Sequence, residues 1–331
     1  MRVFAFEFFS GGGLAGRPLP SAIAHEGDMM LGTLLRDLAQ VPGIDIVASR
    51  DPRLPPLPDC ATLPPLPGED PRALYARGLA AADAGWPTAP ESGGLLAHLA
   101  FDTVAAGRTL LGCRPGAVRL ASSKQATAKL LRACGIAAVP TFAFSDSIPR
   151  MSGPWITKPD DGAGCEDARL LPDWASARES LARDRGRLVA QPWVEGESLS
   201  LSLLCDRGAA RLLACNRQQV TAAQDGLALE ALVVNAVPDP EGRFAALADR
   251  IAAAIPELWG YVGVDLVLAR DGPIVLEINP RLTTSYCGLA PALGINLAAL
   301  VLDLASAGRL PPRTPPAGRP VEIRLGSSGA A

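Results

Sequence analysis

The stretch GYVGVDLVLARDGPIVLEINPR, residues 260–281, decides how this chain is read. Two apolar runs flank Asp271-Gly272, and Asp-Gly between apolar runs is a strong signal for a tight β-hairpin. Polar side chains interrupt both runs: Asp265 in the first, Glu277 and Asn279 in the second. Side chains alternate across a strand, so Glu277 and Asn279 share a face. If the strands pair in that register, Asp265 lies across from them on the same face. Three oxygen-bearing side chains then converge on one patch, a donor set for hard Mg2+ ions bridged to nucleotide phosphates. A half-buried strand with its polar residues in water poorly explains a carboxylate, a carboxamide and then Pro280-Arg281 closing a strongly apolar strand.

Composition sets the bounds around this hairpin. At 331 residues the chain has room for two or three subdomains, each with a core. A hydrophobic content of 48% favours an ordered enzyme over a disordered adaptor. A net charge of −3 argues against a broad basic face for nucleic acid, though not against a local anion site. The 7 cysteines form no CxxC pair, and His25 and His98 are the only histidines. A zinc site or disulfide framework is therefore not expected, and a reducing cytoplasm is the simplest compartment. The opening MRVFAFEFF carries Glu7 and stops at Gly11-Gly12-Gly13. It is too short for a membrane span and lacks a charged start and cleavage site, so it is predicted as a first buried strand.

Periodicity predicts an α/β unit first: a strand over 2–9, a helix over about 20–40 and a strand over Ile44–Ala48. A proline-rich loop follows from Pro52 to Pro71, then a helix near 71–83, a short stretch over Gly85–Pro90 and a helix near 93–107. Strand–helix alternation implies a parallel sheet, whose ligands sit beyond the strand C-termini. The loops Ser10–Gly13 and Thr88–Ser92 lie there. After about Leu110 the pattern changes to a helix over Ser123–Cys134 and strands over Val139–Phe144, Trp155–Lys158 and Leu188–Trp193, with a helix over Trp174–Arg183. Further strands are predicted over 199–205, 211–216 and 228–236, then helices near 242–255 and 295–307 on either side of the hairpin. In the proline-rich tail only Val321–Leu325 has strand character, and the final GSSGAA is expected to be disordered.

Basic and glycine-rich features precede the hairpin. Lys124 follows Ser122-Ser123 at a helix start, and Lys158 ends a strand just before PDDGAG at 159–164. Glycines at Gly162 and Gly164 let backbone N–H groups approach phosphate oxygens, and a lysine on each side supplies point charges. Alone, each is more often a solvated lysine or a turn; with the hairpin they become specific. The extended linker QPWVEGE, from Gln191 to Glu197, exposes free backbone groups that an adenine edge can use, with Trp193 and Val194 as walls for the ring.

Taken in order, Lys124, Lys158 with its glycine loop, the Gln191–Glu197 linker and then Asp265, Glu277 and Asn279 resemble the ATP-grasp superfamily. The resemblance implies an α/β chain with the α+β ATP-grasp fold. A parallel-sheet pre-ATP-grasp domain would span 1–110, a central subdomain 111–190 and a C-terminal metal-bearing subdomain 191–310, the last two clamping ATP, with a tail over 311–331. It also implies a ligase forming an amide through an acyl phosphate, with ATP as co-substrate and two Mg2+ ions, Mn2+ being a substitute. Glu277 would bridge the metals, Lys124 and Lys158 would hold α- and β-phosphate oxygens, and Arg281 and Arg217 would be the cations at the reacting phosphate. Many such ligases hold the ribose through a glutamate two residues after the linker glycine; here that position is Ser198, leaving Glu195 and Glu197 as the alternatives. Gly263 stands where D-alanine ligases carry arginine, which argues against that branch.

Segments outside the general signature, FEFFSGG at 6–12, EGDMMLGTLL at 26–35 and CNRQQV at 215–220, resemble a narrower branch that joins L-glutamate to tyramine in methanofuran (methylofuran) biosynthesis. That branch implies small-molecule partners only: ATP, L-glutamate reacting through its γ-carboxylate, and an aromatic amine, tyramine or tyrosine. It implies no nucleic-acid or membrane partner and leaves a homodimer open. The alternatives are an ATP-grasp ligase for another pair, or a non-catalytic nucleotide-binding module, which would not need a second-metal carboxamide.

Overall fold

The computed structural model describes residues 1–58, 60–147, 151–162, 167–184, 186–223, 226–312 and 318–325. The first unit comprises β1 (Arg2–Glu7), α1 (Ser21–Ala39), β2 (Asp45–Ser49), β3 (Ala61–Leu63), α2 (Pro71–Ala80), β4 (Ala84–Thr88), α3 (Leu95–Ala105) and β5 (Thr109–Leu110). Its strands are parallel in the order β3-β2-β1-β4-β5. Alternation gives the sheet two apolar faces: Phe4 and Phe6 pack with Tyr75 and Leu99, while Val3, Ala5 and Trp86 pack with Met30 and Leu34 of α1. Glu7 and Thr88 are register partners, so the loops after β1 and β4 emerge side by side. The first strand ends at Glu7 because the chain turns there, Gly11 donating its N–H back to the Glu7 carbonyl at 2.8 Å.

Two helices follow, α4 (Pro115–Ser122) and α5 (Lys124–Ala133). They lead to β6 (Trp155–Pro159), β7 (Arg169–Leu171), α6 (Trp174–Arg183) and β8 (Leu188–Pro192), an antiparallel sheet in the order β7-β6-β8. Its core is small: Trp155, Ala177, Leu181 and Ala190 are fully buried, with the rings of Phe142 and Trp174 packed against them.

The remainder forms β9 (Glu197–Asp206), β10 (Ala209–Ala223), β11 (Gly226–Val234), α7 (Arg243–Ala254), β12 (Gly260–Ala269), β13 (Gly272–Asn279), α8 (Tyr286–Leu293), α9 (Leu297–Ala307) and β14 (Val321–Arg324). Its sheet is antiparallel throughout, in the order β13-β12-β9-β10-β11-β14. One face packs through Leu199, Leu201, Val262 and Val264 into the same core as Phe4 and Phe6; the other shares a core with α1 through Leu204, Tyr261 and Tyr286. The parallel and six-stranded sheets are thus joined by two continuous apolar cores, while the three-stranded sheet has its own.

Several elements differ from expectation. No strand forms over Val139–Phe144: Pro140 removes a ladder donor, and only isolated bridges, Ala138 to Val275 and Phe142 to Ala190, are made. Helix α4 opens on Pro115, a residue suited to a first helical position but easily taken for a loop signal. Helix α8 contains Pro291 and is also unanticipated. Strand β14 pairs with β11, so the end of the tail belongs to the six-stranded sheet. Gly164 and the GSSGAA end lie outside the described residues. Among the described residues no single helix is long and apolar enough to cross a membrane; α8 and α9 pass such a test only together, across a 97° bend.

Candidate nucleotide and metal site

The hairpin adopts the register that brings its polar residues together. Asp265 stands opposite Glu277, and Gly263 opposite Asn279, with a bulge between Asp265 and Leu266. The Asn279 amide donates to Asp265 Oδ2 at 2.9 Å, and the Gln218 amide of β10 donates to Asp265 Oδ1 at 2.9 Å. Gly263 is pressed from this face: a Cβ there would lie 2.7 Å from Thr283 Cγ2. Burial and the facing Glu277 charge push the Asp265 carboxyl up, against the hydrogen bonds from Asn279 and Gln218. Burial would raise Glu277 too, but the ammonium groups of Lys158 and Lys124 outweigh it and hold that carboxyl low.

The two lysines form the opposite wall. Lys158 Nζ, from β6, lies 3.0 Å from Glu277 Oε2. Lys124 opens α5, whose N-cap Ser123 accepts the Ala126 N–H at 3.1 Å. Lys124 Nζ donates to the Gly162 carbonyl at 2.6 Å and the Asp160 carbonyl at 3.3 Å, and sits 3.7 Å from Glu277 Oε2. Asp160 also accepts the Ser123 hydroxyl at 2.7 Å and the Gln125 N–H at 2.9 Å, tying the glycine loop to the helix start. Lys124, Lys158, Gly162 and the hairpin carboxylate therefore meet at one place.

The linker is less open than its sequence suggests. Gln191 is buried and donates to Thr141 Oγ1 at 3.0 Å, and the Trp193 N–H is taken by the Pro154 carbonyl at 2.9 Å. The Val194 and Glu195 N–H groups have no backbone partner among the described residues. Trp193 is 41% exposed, a ring face open to solvent, and Glu195 is exposed beside it. Gly196 has φ 154°, and a Cβ there would fall 2.4 Å from the Leu268 carbonyl oxygen. Glu197 forms an ion pair with Arg217. Arg217 is not brought to the polar face of the hairpin. Gln218 reaches Asp265, and alternation turns its neighbour Arg217 to the other face of β10.

Arg281 takes another direction, into the first unit. Its Nε and Nη2 donate to the two Glu91 oxygens at 2.9 and 3.1 Å. Nearby, Glu7 accepts the Ser10 N–H and hydroxyl, each at 2.7 Å, and Glu26 accepts the Thr284 hydroxyl. Burial raises the Glu7 carboxyl, against the Ser10 hydrogen bonds and the Arg281 charge. Thr283 and Ser285 join Tyr261 and Ser202 in a buried hydroxyl network. Sequence reasoning missed Gln218, Glu7, Glu26 and Glu91. The position of the loops beyond β1 and β4 was the available signal for Glu7 and Glu91.

Among the described residues no group of three or more His, Cys, Asp or Glu side chains could hold a metal. The hairpin offers two carboxylates and a carboxamide, so any ion needs further oxygens from a ligand. That fits Mg2+, which keeps few protein ligands and shares phosphate oxygens. The carboxylate pair fits it too: facing each other and largely shielded, Asp265 and Glu277 repel, and among the described residues no cation is in hydrogen-bond contact with Asp265.

Two family models match: the ATP-grasp domain over residues 121–285 and the pre ATP-grasp 3 domain over residues 44–118, together more than half of the chain. A tyramine–L-glutamate ligase of Methanocaldococcus jannaschii is 34% identical over 101 residues, which is 30% of this chain and 31% of that protein. The match thus spans about a third of that relative's length. A solved ATP-grasp superfamily protein of Archaeoglobus fulgidus superposes with a TM-score of 0.72 at 25% identity, covering 98% of this chain and 92% of the other. The N5-carboxyaminoimidazole synthetase of Staphylococcus aureus, solved with ADP, superposes at 0.68 with 16% identity, covering 98% and 81%, a likeness of fold.

Proposed function

We propose, from the premise that this chain belongs to the ATP-grasp superfamily, that it is an ATP-dependent carboxylate–amine ligase. The acid is L-glutamate, reacting through its γ-carboxylate, and the amine is tyramine or a close aromatic relative. The observation that carries the proposal is the meeting of Lys124 and Lys158 on Glu277, directly across from Asp265 and beside Asn279. This is a cationic wall facing an acidic one, with the charges a triphosphate and its ions need. The aligned part of the tyramine–L-glutamate ligase supports the choice of substrates.

The chemistry needs no covalent enzyme nucleophile. A γ-carboxylate oxygen attacks the γ-phosphorus of ATP, the bond to the bridging oxygen breaks, and ADP leaves. The amine nitrogen then attacks the acyl carbon, phosphate departs, and the nitrogen loses a proton to give the amide. Catalysis is positioning and charge neutralisation. Lys124 and Lys158 would turn from Glu277 to phosphate oxygens. Asp265, Glu277 and Asn279 would hold Mg2+, which supplies neutralisation of the β- and γ-phosphates. Arg281 would face the transferring phosphate or the tetrahedral oxyanion. The indole of Trp193 and the N–H groups of Val194 and Glu195, which have no backbone partner among the described residues, suit a purine ring and its edge, and Glu195 or Glu197 the ribose.

ADP release is the test, measured with L-glutamate and a panel of amines and read alongside product mass. A γ-glutamyl amide with ADP is expected, and hydroxylamine in place of the amine should yield a γ-glutamyl hydroxamate. AMP and pyrophosphate would refute the acyl-phosphate route. Amide formation with a different acid or amine would retain the ligase and replace its substrates.

A further inference from the structure

The turn after β4 touches both walls of the site. Glu91 holds the Arg281 guanidinium by two hydrogen bonds in a pair whose side chains are only 5% and 12% exposed. The next residues face the other way. The Ser92 hydroxyl donates to the Asp161 carbonyl at 3.2 Å, and the Gly93 N–H donates to Asp161 Oδ2 at 2.9 Å. Asp161 follows Asp160, whose carboxylate caps α5 and whose carbonyl receives Lys124. The reversal is possible because Gly93 and Gly94 adopt φ values of 63° and 71°, the left-handed region that favours glycine. None of these contacts serves the parallel sheet, since β4 ends at Thr88.

We propose that Glu91–Gly93 is a clasp that sets the metal-hairpin wall and the phosphate-loop wall in register, with Glu91 as the positioning residue for Arg281. The proposal rests on the ligase reading only in taking Arg281 as the cation that meets the transferring phosphate. A long guanidinium side chain has many rotamers, and a two-pronged carboxylate partner fixes both its place and its plane. Three of the Arg281 N–H donors are used, on Glu91 and on the Leu282 carbonyl, and the rest have no partner among the described residues and could meet an anion. Glu91 acts through Arg281 and touches no substrate. Because three consecutive residues grip both walls, releasing either end should loosen the other.

A double-mutant cycle of Glu91→Gln and Asp161→Ala tests this on two quantities. The first is affinity for AMP-PNP with Mg2+, by calorimetry, which needs no acceptor; the second is kcat for ADP release with glutamate and tyramine. Each single variant should weaken AMP-PNP binding by about three- to tenfold, and the double variant should be no weaker than the worse single one, as for coupled sites. Glu91→Gln should lower kcat by about a hundredfold, the cost of a misplaced charge near the reacting group, with a much smaller change in KM for ATP. Glu91→Asp, which keeps the charge, should recover part of kcat; it also replaces Glu91→Gln in the cycle if the latter melts early. Single effects that simply multiply in the double variant would overturn the clasp, as would wild-type affinity in both. If the wild-type protein makes no ADP from glutamate and tyramine, the substrate assignment falls while the affinity cycle still decides the clasp.

Discussion

The hairpin that carries Asp265, Glu277 and Asn279 and the small sheet that carries Lys158 hold their side chains by different means. In the hairpin the backbone ladder fixes which residues face each other, and the reverse face is locked by Val264, Leu266 and Ile278 in a core shared with the first unit. In the small sheet four fully buried side chains supply the core, and the head of Lys158 rests on Glu277, beside Lys124 of α5 on its loop carbonyls. One wall is positioned by covalent alternation and deep packing, the other by ion pairs across the cleft. A ligand's phosphates compete for those ion pairs, so the lysine wall is the one a nucleotide can reset.

The largest effect is expected where the small core is removed. Trp155→Ala takes out its largest buried side chain, and the indole N–H has no hydrogen-bond partner among the described residues, so the loss is of packing alone. It should cost about 3–5 kcal/mol of local stability. Hydrogen exchange should rise across residues 155–192 and stay slow in the hairpin at 260–279. Equal loss of protection in both would mean that the two walls fold as one unit.

Glu277→Gln acts on both walls at once. It removes a carboxylate from the hairpin and with it the counter-charge shared by Lys158 of the small sheet and Lys124 of α5. Glutamate-dependent ADP release should fall by about a hundredfold or more, the scale of losing one preorganised electrostatic group. Exchange at 155–159 should quicken. Turnover like that of the wild type in saturating Mg2+ would remove Glu277 from the metal assignment.

Much of this geometry was legible in the sequence because it is local. Asp271-Gly272 fixes the hairpin, and period-2 alternation puts Asp265, Glu277 and Asn279 on one face. Ser123 before Lys124 announces a capped helix start. Contacts between distant segments were not legible. Nothing near Arg281 in the chain points to Glu91, 190 positions away, and nothing near Glu7 points to α1 at Gly27, where a Cβ would fall 2.3 Å from the Glu7 carboxylate. Pairing with Val275 and Ala190 could not rescue a strand around Pro140. Arg217 is singled out by its charge, whereas strand parity brings its neighbour Gln218 to Asp265 and pairs Arg217 with Glu197.

That parity gives a test within one dipeptide. Gln218 orients Asp265 through its amide and itself accepts the Ser198 hydroxyl at 3.3 Å, so Gln218→Ala should weaken the apparent Mg2+ affinity in turnover by about tenfold. Arg217→Ala loses only a half-exposed pair with Glu197 and should change Mg2+ dependence by about twofold or less. The reverse order, measured as Mg2+ titrations of ADP release, would return Arg217 to the reacting centre and break the face assignment.

The smallest effect concerns the joint between the first unit and the six-stranded sheet, where the packing is deepest. The Tyr286 hydroxyl of α8 donates to Asp37 Oδ2 of α1 at 2.6 Å, inside the core that the two units share. Burial raises the Asp37 carboxyl above its ordinary value of 3.8, only partly offset by the Tyr286 hydrogen bond and the Arg36 charge. A raised acid binds its proton more tightly in the folded chain than in the unfolded one. The folded state therefore loses stability as pH rises from the unfolded pKa through the folded one, and regains it as pH falls. In Asp37→Asn the amide oxygen can still accept from Tyr286 and no charge is buried. The variant should melt slightly above the wild type at neutral pH, by about 1–2 °C, with the gap closing as pH is lowered toward 4. Melting curves across that range read it directly, and a hairpin with unchanged exchange throughout is expected. A variant less stable than the wild type at neutral pH would mean that the charged Asp37–Tyr286 hydrogen bond outweighs its burial, making this joint an electrostatic one like the lysine wall.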